Sequence, residues 1–424
     1  MHPAHDLRPS TSTMPLRHVV LGRFTDEATA EQKEAMLVAM RGMPSKIPEI
    51  RSLVCGLDAG LAAGNHSFAA NVEFESDADY KVYASHPEHV RVINEFIKPI
   101  LAPGTRTAVQ FALPTPLKYY IFGHPVLMSP SPDIHNAGFA RNGFGHCTYE
   151  RYDTEDAAEV IATIKGAGCG GGSVTIPHKE AVMPHMDELT ESARRIGAVN
   201  TVTKLADGRL RGDNTDWLGI KNQLVAKAPA AGTAAAPAVG LICGAGGTAR
   251  AAAFALGKMG LGRVLVYNRT KARAEQLAAD FNAAFGSSPA YEAIDDLAAL
   301  DALGSLAYVV DTTPSSAGFT LPAALLTRLR PTCLEAAYIP RHTPFVAEAL
   351  AAGCTVVEGV EMLFEQGCAQ CEIWTGRPAP RAAIAAALLR ELFGDARTHP
   401  AAEKMEPRGS PPQGLLREVE AAGA

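Results

Sequence analysis

The sequence predicts an α/β protein with two strand–helix units in series, preceded by a small α+β domain. Three observations carry this. From residue 119 to about 224, and again from 239 to about 359, short β-branched runs alternate with amphipathic helical stretches, as in parallel strands joined by crossover helices. Residues 17–112 follow another order, strand–helix–strand–strand–helix–strand. At 424 residues the chain is also longer than one hydrophobic core can serve, so two or three domains are expected.

The first unit opens on the alternating strand LRHVVLGRF and an acidic helix start, TDEATAEQKEAMLVAMRGM. IRSLVCGL and FAANVEFES read as strands, DADYKVYASHPEHVRVINEFIKPIL as helical, and TRTAVQFAL as a closing strand. LPTPL, residues 113–117, is a proline-stiffened boundary. Beyond it, YYIFG, PDIHNAGFARNG, CTYERYD, TEDAAEVIATIKGAG and GGSVTIP form a βαβαβ half-domain with a parallel sheet, residues 118–224. The low-complexity segment 226–238 belongs in an exposed loop. A second α/β unit spans 239–360, and helices over about 362–394 return to complete the first. Residues 395–424, polar and rich in Pro and Gly, are expected to be disordered.

Composition narrows the function classes. Hydrophobic residues make up 47% and charged residues 20%, and 39 Lys and Arg against 45 acids give a net charge of −6. With no basic run, nucleic acid is not an expected partner, and with no apolar run of spanning length, neither is a membrane. The first 14 residues lack an apolar signal core and read as a flexible leader on a cytoplasmic protein. The eight cysteines are scattered, which suits reduced buried thiols. Cys368 and Cys371 form a CxxC without further ligands at metal spacing, so they are placed on one late helix and no metal is expected.

AVGLICGAGGTARAAAFALGKMG reads as strand, glycine turn and helix. Gly244, Gly246 and Ala249 match G-x-G-x-x-G/A. With Ala245 and Gly247 they let backbone approach a pyrophosphate at a helix N-terminus, the dinucleotide-binding turn of a Rossmann domain. The next strand ends on Asn268-Arg269-Thr270, followed by Lys271 and Arg273, where an NAD-binding unit places an acid for the ribose diol. Cations there suit a 2′-phosphate, so NADP is the expected cofactor and NAD the lesser alternative.

The half-domain before it should hold the substrate. Polar clusters fall at its strand ends: SPSP, SVTIPHK, GAVNT and GDNTDWLG. In the stretch GGSVTIPHK an apolar run stops at Pro177 and delivers Lys179 at the mouth of a strand, a setting that a surface lysine does not need. Hydroxyls, an amide, a lysine and a carboxylate suit a small polyhydroxy carboxylate and proton transfer coupled to hydride transfer.

Residues 17–112 resemble the stress-responsive A/B barrel (Dabb) family through His18 on the first strand and YKVYASHPEHV, with His86 and His89. The resemblance implies a ferredoxin-like α+β fold and pairing through the sheet as a homodimer. His86, before Pro87 at a helix start, and its companions are expected to be structural or to lie on the dimer surface.

Residues 119–394 resemble the shikimate dehydrogenase family (shikimate/quinate 5-dehydrogenases), whose motifs occur in order: GHPVLMSPSPDIHN, GGSVTIPHK, IGAVNT, GDNTDWLG, GAGGTAR, NRT and GVEMLFEQG. The resemblance implies a substrate domain and an NADP-binding domain with a cleft between them, and reversible reduction of 3-dehydroshikimate to shikimate. By position, Ser129 and Ser131 are expected to hold the substrate carboxylate, and Thr175, Asn200 and Gln366 its ring hydroxyls. Lys179 and Asp216 match the catalytic pair, Tyr338 a tyrosine near the nicotinamide, and Gly359 opens the last motif on the cofactor side. Two positions depart from the pattern: Ser173 stands where many bacterial members have asparagine, and Met128 where histidine is common. Serine still hydrogen-bonds a ring hydroxyl, so altered geometry or preference is expected, and quinate stays in play. His135 and His178 are assigned helix-surface or hydrogen-bonded roles. Competing readings are an NAD-linked quinate dehydrogenase, against which Ser131 tilts, and a ligand-sensing regulator, against which Lys179 and Asp216 both stand.

Overall fold

The computed structural model describes residues 15–228, 238–286, 288–394 and 411–421; the leader, the centre of segment 226–238 and most of the tail lie outside these. The chain divides into two units, Met1–Pro116 and Leu117–Ala424, with the division inside LPTPL.

The N-terminal unit contains β1 (Leu16–Gly22), α1 (Ala30–Arg41), β2 (Ser52–Leu57), β3 (Phe68–Phe74), α2 (Asp77–Ser85), α3 (Pro87–Val92) and β4 (Thr107–Ala112). Its antiparallel sheet has the order β2-β3-β1-β4. A capping box at Thr29 and Gln32 starts α1. Alternate residues of β3, Phe68, Ala70, Val72 and Phe74, pack against Met36, Leu37 and Met40 of α1. The stretch read as one helix from Asp77 is broken before Pro87, because the residue before a proline is pushed out of the α region. His86 is extended there and its Nδ1 accepts the Glu88 N–H at 3.2 Å, capping α3.

In the second unit, β5 (Lys118–Gly123), α4 (Ser131–Arg141), β6 (Thr148–Asp153), α5 (Ala157–Lys165) and β7 (Cys169–Val174) form the expected βαβαβ run. β8 (Glu188–Leu189), α6 (Glu191–Ile196), β9 (Thr201–Lys204), β10 (Leu210–Asp213) and α7 (Asp216–Lys227) follow. The sheet order is β6-β5-β7-β9-β10-β8. The expectation of a parallel sheet is corrected: β5 is parallel to β6 and β7, but β9 runs antiparallel to both β7 and β10. Only a short turn joins β9 to β10, too little chain for the crossover that a parallel pair needs.

The third sheet is parallel throughout, in the order β13-β12-β11-β14-β15-β16. Its elements are β11 (Val239–Cys243), α8 (Gly247–Lys258), β12 (Arg263–Tyr267), α9 (Lys271–Phe285), β13 (Ala290–Ile294), β14 (Tyr308–Asp311), α10 (Ala323–Leu329), β15 (Thr332–Glu335), α11 (Pro344–Ala351) and β16 (Thr355–Val357). This is the doubly wound order, and chain direction across the sheet switches between β11 and β14, where such folds leave a crevice.

α12 (Gly359–Thr375) carries the chain back and α13 (Arg381–Phe393) packs beside it. A capping box at Glu358 and Glu361 starts α12, and Gly376 ends it in the left-handed conformation. Cys368 and Cys371 both lie buried on α12, and among the described residues no group of side chains could hold a metal ion. The expectation of a wholly disordered tail is corrected for residues 411–421. Gln413–Glu420 form α14, Leu415 enters the core beside Phe364 and Leu388, and Glu418 pairs with Arg381 at 2.7 Å. Composition hid the apolar stripe Leu415, Leu416 and Val419. No helix of the described residues is long and apolar enough to cross a membrane.

Candidate active site

A cavity of about 260 Å³ opens between the two sheets of the second unit. Strand ends, loops and α12 all contribute to it. From the first sheet come Ser129 and Ser131 on the turn into α4, Ser173 and Thr175 at the end of β7, and Lys179 just beyond. Asn200 precedes β9 and Asp216 begins α7. Tyr338, Gly359 and Gln366 close the cavity from the loop after β15 and from α12. The expected substrate and catalytic positions, with Gly359 from the expected cofactor set, are therefore brought together.

The lysine is the centre of this arrangement. Its Nζ lies 2.6 Å from Asp216 Oδ2 and donates to Thr248 Oγ1 at 3.1 Å. Both members of the pair are largely buried, with side-chain exposures of 11% and 6%. Asp216 Oδ1 accepts from Asn200 Nδ2 at 2.8 Å, and Asn200 Oδ1 accepts the Thr215 N–H at 2.8 Å. An ammonium has three N–H bonds. Asp216 and Thr248 take two, leaving one for the cavity.

Ser173 is held from behind. It accepts from Tyr149 Oη at 2.6 Å and donates to Gln370 Oε1 at 2.8 Å, while His135 Nε2 lies 3.1 Å from the same oxygen. Gln370 Nε2 donates to the Asn200 carbonyl at 3.1 Å and to Thr201 Oγ1 at 3.0 Å. Ser173's single proton is thus committed, and only an acceptor lone pair remains for a ligand. Burial drives His135 down to about 3, so it is neutral, and pushes the Tyr149 phenol upward. His135 is a buried, hydrogen-bonded group and not a surface one. His178 points away from the cavity, with Nε2 2.8 Å from the Thr154 carbonyl. Ser129 donates to Ser131 Oγ at 3.0 Å, and burial raises the Tyr338 phenol against the opposing pull of Ser129.

On the third sheet, Gly244 ends β11 at φ +111°, and a Cβ there would sit 2.3 Å from Thr312 Oγ1, so only glycine allows this turn. Ala245 and Gly246 follow, and Gly247 begins α8 with its free N–H groups. Asn268 Nδ2 donates to the Thr270 carbonyl at 2.9 Å, and Thr270 is the residue before α9. Arg269 and Arg273 are exposed, and their guanidinium groups have no hydrogen-bond or ion-pair partner among the described residues. Lys271 differs: Asp295 at 2.7 Å and Glu275 at 3.5 Å occupy it. These cofactor positions lie at strand ends outside the cavity lining. Gly359 sits where a Cβ would meet the Ala337 carbonyl oxygen at 2.3 Å, so the Tyr338 loop and α12 meet as bare backbone.

Sequence reasoning missed Thr248, Thr312, Gln370 and Tyr149. Thr248 lies within GAGGTAR, and Gln370 is one helical turn beyond Gln366 on the same face, so both left a signal. Tyr149 left none. Also missed were two buried carboxylates on neighbouring strands, Asp311 and Glu335. Burial raises Asp311 to about 6, and burial followed by the Asp311 charge raises Glu335 to about 7. They hold the turns that reach the cavity, accepting from Thr313 N and Ala337 N at 2.9 Å each.

Three family models match this unit: the shikimate dehydrogenase substrate binding domain over residues 121–202, shikimate / quinate 5-dehydrogenase over 230–305, and the shikimate 5′-dehydrogenase C-terminal domain over 359–389. The stress responsive A/B barrel domain matches residues 16–112. The pentafunctional AROM polypeptide of Komagataella phaffii is 37% identical over 312 residues, covering 68% of this chain and 20% of its own length. The chain thus spans about a fifth of the curated relatives it matches. Among solved structures, shikimate 5-dehydrogenase from Thermus thermophilus, in complex with NADP(H) and shikimate, is 33% identical with a TM-score of 0.55, covering 65% of this chain and 100% of that one. Quinate dehydrogenase from Corynebacterium glutamicum in complex with NAD is 27% identical with a TM-score of 0.57, over 64% of this chain and 97% of that one. On the full coverage of the Thermus enzyme at this identity, the chain belongs to the shikimate dehydrogenase family.

Proposed function

We propose that the protein is an NADP-dependent shikimate 5-dehydrogenase, reversibly interconverting shikimate and 3-dehydroshikimate. The carrying observation is Lys179, which reaches Asp216 in the polyol pocket and Thr248 at the start of the glycine-turn helix at once. Ser129 and Ser131 hold the carboxylate; Thr175, Asn200, Gln366 and the lone pair of Ser173 hold ring hydroxyls. The residues present suit NADP, because the glycine turn leaves backbone room for a pyrophosphate and two unpaired arginines flank the ribose position. NADP, when bound, supplies the hydride donor or acceptor. In the reduction direction the third N–H of Lys179 supplies the proton that the carbonyl oxygen takes up, in the oxidation direction the hydroxyl proton returns to the lysine in its neutral form, and Asn200 fixes the carboxylate that orients the lysine. Steady-state assays with shikimate and quinate, each with NADP and NAD, test the reading. Turnover of quinate with NAD in preference to shikimate with NADP would replace it.

Ser173→Ala is expected to raise KM for shikimate roughly 3- to 10-fold at little cost in kcat, since a neutral hydrogen bond contributes about 0.5–1.5 kcal/mol. An unchanged KM would show that Ser173 serves only the network behind it.

The N-terminal sheet supports pairing as a homodimer. Val54, Asn71, Val19 and Val109 form one row across the face opposite the helices, with Val54 and Val109 exposed. Val109→Lys should shift the chain from dimer to monomer in sedimentation velocity while kcat is kept, because burying an unpaired charge opposes association. A dimer that persists removes this surface from the reading.

A further inference from the structure

The tail helix α14 is too short to stand by itself. Its eight residues fall below the length at which a helix is stable in water, and Pro412 before it offers no side-chain acceptor for the first N–H groups. Its order therefore comes from its seat. Leu415 is buried with Val360, Phe364 and Leu388, and Val419 is partly covered by the same cluster. Glu418 meets Arg381 at 2.7 Å. Arg381 is already fixed for that contact, lying 4.7 Å over the Phe364 ring and held by Glu365 at 2.6 Å.

Two features set this seat apart from ordinary core. A cavity of about 480 Å³ remains between the start of α14, the end of α7 and the first turns of α12. Beside it lies Glu361, only 1% exposed. Its Oε2 accepts from Lys227 Nζ and from the Glu358 N–H, but its Oε1 is buried with no hydrogen-bond partner among the described residues. Gly414 of α14 faces that oxygen, since a Cβ there would stand 2.9 Å from it. A buried acceptor left unpaired opposes the packing that buries it. The docked helix is thus held by few contacts against a standing penalty, the make-up of an element that opens locally before the rest of its domain.

What lies under α14 gives the docking a consequence. Gly359, Met362, Leu363 and Gln366 of α12 line the active-site cavity, whereas Glu361, Phe364 and Glu365 line the cavity beside α14. α7 packs against the same turns. It begins on Asp216, comes so close at Gly219 that a Cβ would lie 2.7 Å from the Met362 carbonyl oxygen, and ends on Lys227, which pairs with Glu361. α14 therefore rests on the back of the two helices that carry Asp216 and Gln366 to the site.

We propose that α14 is a detachable clasp, and its seat on α12 and α13 an interaction surface for a short helix that presents a leucine and, one turn on, a glutamate. Docked, the clasp holds the first two turns of α12 against α7 and keeps Gln366 in place for the substrate. Released, it frees those turns, and substrate is bound more weakly while the chemistry is kept. The effect on substrate rests on the dehydrogenase reading; the clasp itself does not.

The test uses the full chain with Leu415→Asp, which puts a charge into the apolar seat, and Glu418→Lys, which repels Arg381. Hydrogen exchange should find the amides of 413–420 protected in the wild type and unprotected in both variants. The amides of 359–366 should then exchange about 10-fold faster. KM for shikimate should rise roughly 3- to 10-fold with kcat unchanged, the size expected for weakening one neutral hydrogen bond. A synthetic peptide of residues 411–421 should restore both values to the Leu415→Asp chain, and the same peptide carrying that aspartate should not. Glu418 is partly exposed, so its replacement leaves the core intact even where Leu415→Asp does not fold. Unprotected 413–420 in the wild type, variants that keep this protection, wild-type exchange and KM in the undocked variants, a fall in kcat, or no restoration by the peptide would each overturn the clasp. A wild-type chain inactive on shikimate would instead overturn the dehydrogenase reading, and the exchange and peptide measurements, which need no substrate, would still decide the clasp.

Discussion

Lys179→Ala is expected to lower kcat for shikimate oxidation roughly 100-fold or more, the usual loss when a general acid or base is removed. Asp216→Asn should do nearly the same, since the asparagine keeps the shape but gives up the charge that holds the lysine 2.6 Å away. The pair is buried, and stripping one partner from a buried ion pair costs about 3–5 kcal/mol of stability. Each variant is therefore first checked for its melting transition and for NADPH binding, which should persist because α8 and β12 are untouched. The double variant should be little worse than either single one, because the two residues act as a unit. Near-normal turnover in a folded Lys179→Ala chain would reduce the pair to a tie between loops.

The second large effect concerns cofactor choice. Arg269→Ala is expected to raise KM for NADP roughly 10- to 100-fold, from about 1.5–3 kcal/mol per charge-assisted hydrogen bond. KM for NAD should barely move, because NAD has no 2′-phosphate to lose. The surroundings favour this reading: Glu275 and Asp295, the acids nearest the strand end, are both engaged by Lys271, so neither is free to accept from a ribose diol. Arg273→Ala should act in the same direction, being equally unpartnered. Equal weakening toward NADP and NAD would mean that Arg269 supports adenine or the fold instead. A wild-type preference for NAD would remove the NADP assignment.

The site was legible where chemistry depends on short contiguous motifs. GGSVTIPHK put Lys179 at a strand mouth, GAGGTAR put a glycine turn at a helix start, and NRT put cations at the end of the second strand. What these motifs could not show was which partners complete them. Lys179's second partner, Thr248, lies on the other side of the cavity, 69 positions along the chain. Ser173 read as a hydroxyl free to meet substrate, whereas Tyr149, His135 and Gln370 make it an acceptor only. Of the three cations after β12, Lys271 is occupied, and the side chains of the other two have no partner among the described residues.

By itself the sequence determined the order of strands and helices, the division at LPTPL, and many of the residues that line the cavity, because propensity, capping and hydrophobic period act over a few residues. Tertiary structure alone decided the mixed direction of the β9 and β10 strands, the return of the tail as α14, and the pairing of Asp311 with Glu335. Each of these depends on elements distant in the chain meeting face to face. Stripe and neighbour cannot be matched from one strand of text, since burial, which drives their association and shifts their proton affinities, exists only once the chain has folded.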